Sequence, residues 1–224
     1  VFYGWLTDRS GALTQSASRI TAADPDVLVA AYRKADGSPN VTSDFVAGKN
    51  RMKIYSYVAS GWTRKNIASV ASEIADAAGK SDGIFLDEVS SMKREDDLAY
   101  YSRIYDEAKK HNLGVVANPG MIGVHRRIMD VSDILCLEHQ WEQADMIPWK
   151  NDYPPSRLMG ISLVQSKNAA IKASTMAAGL GMGYHYSASF LTELDPWYER
   201  YIEKTRKLKA GALRSSFSWL HKTH

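Results

Sequence analysis

Short apolar runs separated by helical periodicity constrain this chain more than any other feature. Residues 27–32, 52–58, 83–86, 113–117, 134–137 and 158–164 are each too short for a helix and carry little polar alternation. Such runs read as strands buried on both faces, the condition of a parallel sheet. Residues 1–6 and 183–187 extend the series to eight. Helical stretches fall between them: a weak one over 13–20, a short one over 42–48 with Thr42 as cap, and others over 95–111, 124–129, 167–178 and 196–209. The clearest is capped by Thr63, repeats Ile67, Val70, Ala71, Ile74 and Ala78 on one face, and stops at Gly79. Eight strands alternating with helices predict a single-domain α/β fold, a (β/α)8 TIM barrel over residues 1–210, with 211–224 as a C-terminal tail. A doubly wound open sheet is the runner-up, but it usually has fewer strands and a composition break between halves.

Composition narrows the partners. A net charge of +3 with dispersed Lys and Arg disfavours nucleic acid. The single cysteine, Cys136, rules out a disulfide framework within the chain. No apolar run is long enough to span a bilayer. Val1 opens directly on a strand, so no signal peptide is read in this chain. Asn40-Val41-Thr42 matches a glycosylation sequon, a pattern too short to carry weight.

Barrel chemistry sits where strands end, which shortens the search. Strand-end candidates are Asp8, Arg33, Ser60, Asp87, Glu88, Asn118, Glu138, His139, Gln165 and Tyr184-His185-Tyr186. Only the fourth and sixth strands end in carboxylates set directly against an apolar run, at Asp87-Glu88 and at Glu138. With strands ~4.8 Å apart, ends two strands away are separated by roughly 8–10 Å before their side chains converge. A carboxylate pair suits glycoside cleavage: one acid protonates the leaving oxygen, while the other stays ionised to meet an oxocarbenium-like centre. The competing account, in which Asp87 caps a turn and Glu138 pairs with a local Arg or His, stays open at this level. Trp62, Trp141, Tyr57 and Tyr186 near strand ends would stack on sugar faces, or simply roof the barrel.

Other chemistries fit less well. The glycine-rich segment Gly179-Leu180-Gly181-Met182-Gly183 precedes the last strand, on the rim opposite a barrel's phosphate site. The six histidines show no pair at metal-ligand spacing, so no metal and no cofactor are expected. No G-x-S-x-G motif occurs, Cys136 lies inside a strand, and no lysine ends a strand to form a Schiff base.

Several ordered pieces resemble the spherulin-4-like proteins, the spherulation-specific glycoside hydrolases of family 135. They are Ile54-Tyr55-Ser56-Tyr57-Val58-Ala59-Ser60-Gly61-Trp62, Gly83-Ile84-Phe85-Leu86-Asp87-Glu88, the Tyr100-Tyr101 helix, Asn118-Pro119-Gly120, and Asp133-Ile134-Leu135-Cys136-Leu137-Glu138. The likeness is good over roughly residues 50–140, and related polygalactosaminidase families share the architecture. It implies a (β/α)8 fold and a secreted hydrolase acting on galactosamine-containing exopolysaccharides such as galactosaminogalactan, with functional acids matching Asp87, Glu88 and Glu138. The resulting expectation is an endo-acting glycoside hydrolase, monomeric, whose partner is its polysaccharide. Asp87 and Glu138 would be the main pair and Glu88 the supporting acid. Asp8, Tyr57, Trp62, Asn118, His139, Trp141, Gln165 and Tyr186 would contact substrate. The alternative is a non-catalytic glycan-binding barrel.

Overall fold

The apolar runs pair side by side in chain order. In the computed structural model, which describes residues 4–31, 33–34, 36–189 and 193–207, they form one all-parallel sheet. Its strands are β1 (Val27–Ala31), β2 (Lys53–Ala59), β3 (Gly83–Asp87), β4 (Gly114–Ala117), β5 (Ile134–Leu137), β6 (Leu158–Leu163) and β7 (Tyr184–Ala188). The fold is α/β with a barrel-like sheet, and seven strands are found among the described residues where eight were expected. The missing one is the first. Residues 1–3 lie outside the described residues, and residues 4–6 are not strand.

At Leu6 a side chain takes the place of strand pairing. The Leu6 N–H donates to Asn40 Oδ1 at 2.7 Å, and Asn40 Nδ2 donates to the Ala31 carbonyl at 2.8 Å. The Asn40 amide thus stands where a ladder bond between the N-terminal segment and β1 would form. Asn40 has no exposed surface, so the residue that reads as a glycan acceptor is instead a buried tie.

The helices are α1 (Gln15–Ala23), α2 (Ser43–Gly48), α3 (Ile67–Ala77), α4 (Glu95–Lys110) and α5 (Lys167–Gly179), and residues 198–207 are also helical. Thr42 caps α2 as expected, accepting from the Phe45 N–H. Thr63 does not cap α3; Asn66 does, accepting from the Ala68 N–H. The reason lies upstream: Trp62 and Thr63 both have positive φ, 51° and 73°, in a turn bonded to the end of β3, and the chain turns helical only after it. The segment between β5 and β6 holds no α-helix, only 3-10 turns at Trp141–Met146, Lys150–Asp152 and Pro155–Arg157. Buried Lys150 anchors this segment by donating to the Leu180 carbonyl at 2.7 Å and pairing with Asp145. The expected tail, 211–224, lies outside the described residues.

Alternation along the strands sorts the core into two layers. Val29, Tyr55, Phe85, Val116, Cys136, Met159 and Ile161 face one another inside the curved sheet. Ile84, Leu86, Val115, Ala117, Leu135 and Leu137 face outward and pack with Val70, Ile74, Tyr101, Ile104 and Ala108 from α3 and α4. The floor of the interior is filled by the Tyr55 ring, for which two strands carry glycine. A Cβ on Gly83 would lie 2.3 Å from Tyr55 Cε1, and one on Gly114 would lie 2.9 Å from its hydroxyl. Among the described residues no helix is long and apolar enough to cross a membrane.

Candidate active site

The interior rows continue past the strand ends with polar residues. Two positions after Phe85, Val116 and Cys136 come Asp87, Asn118 and Glu138, so period-2 alternation carries all three toward the mouth of the sheet. The structure brings them into one bonded group. Asn118, 1% exposed, uses its single Nδ2 to donate to Asp87 Oδ1 at 2.8 Å and to Glu138 Oε2 at 2.9 Å. The two N–H directions of an amide diverge by about 120°, which puts those carboxylate oxygens roughly 5 Å apart. The Gly120 N–H donates to Asn118 Oδ1 at 3.0 Å, so the amide cannot turn over without losing that bond as well.

Asp87 is the better supported of the two acids. Besides Asn118, it accepts from the Tyr57 hydroxyl at Oδ2 and from the Glu88 N–H at Oδ1, each at 2.8 Å. Burial, then the charge of Asp87, raises the Tyr57 phenol well above its usual range and keeps its proton in place as a donor. The Tyr57 ring stacks on Phe85 in the row below, with centroids 6.4 Å apart. For Glu138, Asn118 is the bonding partner.

Glu88 takes a different direction. Its φ is +55°, an uncommon conformation for a residue with a Cβ, and it breaks the alternation at the strand end. Its carboxylate accepts from the Gly61 N–H at 3.1 Å, while its carbonyl accepts from the Trp62 N–H and the Ser60 hydroxyl, each at 2.8 Å. Glu88 therefore ties the end of β3 to the loop after β2, outside the Asp87–Asn118–Glu138 bridge. That loop presents Trp62, 48% exposed, with the Arg64 guanidinium 5.2 Å from its ring.

The remaining candidates divide. A cleft of about 250 Å³ opens beside Glu138 and is lined by His139, Trp141, Glu142, Ser162 and Leu163, among others. His139 is exposed there, its N–H donating to the Gly120 carbonyl at 3.0 Å. Trp141 lines the cleft but is only 3% exposed, because its ring packs on His185 at a centroid distance of 4.8 Å. It is a wall of the cleft, not a free-standing platform. Gln165 is exposed just past Val164, the last lining residue on that strand. Asp8 is a turn residue: its Oδ1 accepts from the Ser10 N–H and hydroxyl and the Ala12 N–H, and the Ser10 hydroxyl holds its carboxyl below the usual range. Tyr186 is packed among the interior residues near Tyr198, its phenol raised chiefly by burial.

Sequence reasoning passed over Leu163 and Glu142. Leu163 is 59% exposed at the end of β6, and its signal was a large apolar residue at a barrel rim. His185, on the outer face of β7, is a satisfied core residue. Its ring nitrogens meet the Ser162 and Ser174 hydroxyls at 2.9 Å each, and burial lowers its pKa to about 4.

The model of the spherulation-specific family 4 matches residues 41–208, well over half of the chain. The protein belongs to this family. The matched span contains β2 through β7, and with them Asp87, Asn118 and Glu138; β1 and Asp8 lie before it. Among solved structures, the chain is similar to Aspergillus clavatus Sph3, crystallised in complex with GalNAc. The TM-score is 0.72 at 19% identity, over 91% of this chain and 94% of that one. It is also similar to the GH18 chitinase ChiB from Flavobacterium johnsoniae (TM-score 0.60, 11% identity, 93% and 94% coverage). Aspergillus fumigatus Ega3, in complex with galactosamine, follows with TM-score 0.52, 12% identity, and 86% and 92% coverage. At these identities the shared feature is the fold. Comparison with curated proteins gives no match.

Proposed function

We propose that this spherulation-specific family 4 protein is a glycoside hydrolase that cleaves within α-linked galactosamine- or N-acetylgalactosamine-containing polysaccharide. The observation that carries the reading is the pair of carboxylates, Asp87 and Glu138, bridged by the Asn118 Nδ2 at 2.8 and 2.9 Å at the mouth of the sheet. Two acids bridged by one amide nitrogen are close enough to act on a single glycosidic bond, and we take the retaining route as the reading to be tested. Asp87, which accepts from three donors, takes the role of nucleophile. Glu138, with fewer donors and a cleft beside it, is the proton donor to the leaving oxygen and later the base that activates water.

Trp62 supplies an exposed ring for the apolar face of a sugar on the β2 side, and His139 and Leu163 border the cleft on the β5–β6 side. The amino-sugar assignment draws support from Sph3 and Ega3, whose structures hold GalNAc and galactosamine. In this reading the protein works outside the cell as a monomer.

The test is incubation of the protein with N-acetylated and with deacetylated galactosamine polymers. Oligosaccharide release is read by mass spectrometry, and the anomer formed first is read by NMR. Products with retained configuration from either polymer, absent in Glu138→Gln, are the expected result. Binding without products, equally tight in Glu138→Gln, would identify a glycan-binding barrel instead.

A further inference from the structure

Asn118 was expected to contact substrate, yet its hydrogen-bonding capacity is turned inward. Both Nδ2 protons are spent on Asp87 and Glu138, Oδ1 accepts the Gly120 N–H, and the side chain is 1% exposed. The residue also closes the local backbone, because its N–H donates to the Leu86 carbonyl at 2.8 Å and its carbonyl accepts the Val89 N–H at 3.1 Å. Backbone and amide together fix one rotamer, aimed between the two acids from the strand that separates them.

We infer that Asn118 is a positioning residue that sets the spacing and charge balance of the Asp87–Glu138 pair without touching substrate. The chemistry of the group supports this. Two carboxylates this close repel, and a Lys or Arg between them would favour ionisation of both. That would defeat a reaction in which one acid must carry a proton. An empty site would let them separate or share a proton directly. A neutral amide with two donors lowers the repulsion and holds the geometry, yet leaves one acid free to protonate. Nearby titratable groups are the Tyr57 hydroxyl on β2, which bonds Asp87, and the Cys136 thiol on the row below Glu138; the Glu88 carboxylate is turned away to the Gly61 N–H. Burial raises the Cys136 thiol far above its usual range, so it stays neutral.

The catalytic part of this inference rests on the proposed hydrolase, but the coupling itself does not. The wild-type protein without ligand provides a direct reading. The two side-chain N–H resonances of Asn118, followed by proton–nitrogen NMR, are expected to shift through the acid titration, each reporting one carboxyl. Resonances that ignore pH in this range would overturn the inference whatever the protein does to sugars.

Substitution gives the kinetic reading. In Asn118→Ala the carboxylates lose donors that favour the charged form, so both limbs of the pH–rate profile move to higher pH. The kcat falls on the order of 10²-fold while KM stays near wild type. Asn118→Asp, which keeps the shape and the Gly120 bond but adds a like charge, moves the limbs in the same direction. A raised KM with an unshifted pH profile would place Asn118 on the substrate and defeat the inference.

Discussion

Replacing Asp87 by Asn separates what that residue does for the fold from what it does for chemistry. Asp87 accepts three hydrogen bonds at 2.8 Å: from the Asn118 amide and the Glu88 N–H at Oδ1, and from the Tyr57 hydroxyl at Oδ2. In Asp87→Asn the new Oδ1 keeps the first two. The new Nδ2 faces Tyr57, whose hydroxyl can rotate from donor to acceptor. No buried donor is orphaned, so stability is expected to change by no more than about 1 kcal/mol. The anion that would meet the oxocarbenium-like centre is gone, and turnover is expected to fall by a factor on the order of 10³ or more, about 4 kcal/mol of barrier. Asp87→Ala is equally inactive but leaves three donors unpaired at about 1–3 kcal/mol each, and should melt well below wild type. The assay pairs oligosaccharide release from galactosamine polymers with thermal unfolding of both variants. Turnover retained in Asp87→Asn would refute the catalytic role. An Asp87→Ala protein melting with wild type would refute the hydrogen-bond reasoning.

Other consequences are accessible to simple measurements. Gly83→Ala places a Cβ 2.3 Å from the Tyr55 ring and 2.5 Å from the Gly114 carbonyl, so a loss of about 1–3 kcal/mol is expected in chemical denaturation. Asn40→Ala removes the acceptor for the Leu6 N–H and the donor to Ala31 and should cost about 1–3 kcal/mol; mass spectrometry of folded protein from a secretory host should find Asn40 unmodified. His185 titrates at about 4 in the fold because it is buried, against about 6.5 when unfolded. Its contribution is thus complete above pH 6.5 and is lost as pH falls toward 4, about 3 kcal/mol in all, and His185→Gln should flatten the dependence of the urea midpoint on pH in that window. Trp62→Ala should raise KM several-fold while leaving kcat near wild type, if the exposed ring contributes uniform binding.

Where one local interaction decided the outcome, the sequence was a good guide. The strands at 83–86, 113–117 and 134–137 lie within a residue of β3, β4 and β5, because unbroken apolar runs have no other way to bury both faces. Thr42 announced its helix. Thr63 misled, since the strength of a capping residue says nothing about whether the preceding turn is free to enter a helix, and here Glu88 holds that turn. Asp8 and Trp141 look like site residues from their positions; the structure gives Asp8 a turn with three donors and makes Trp141 a cleft wall packed on His185.

The sequence by itself determined that the chain lays parallel strands side by side and ends two of them in acids, because apolar runs and strand-end carboxylates are properties of consecutive residues. Only the tertiary structure decided that Asp87 and Glu138 form one unit, that Glu88 turns aside to the Trp62 loop, and that Asn118 stands between the acids. Spacing across strands depends on register and on which way each strand end points. Those follow from how Tyr55 seats over Gly83 and Gly114 and how the rows of Phe85, Val116 and Cys136 pack together, which no stretch of chain specifies alone.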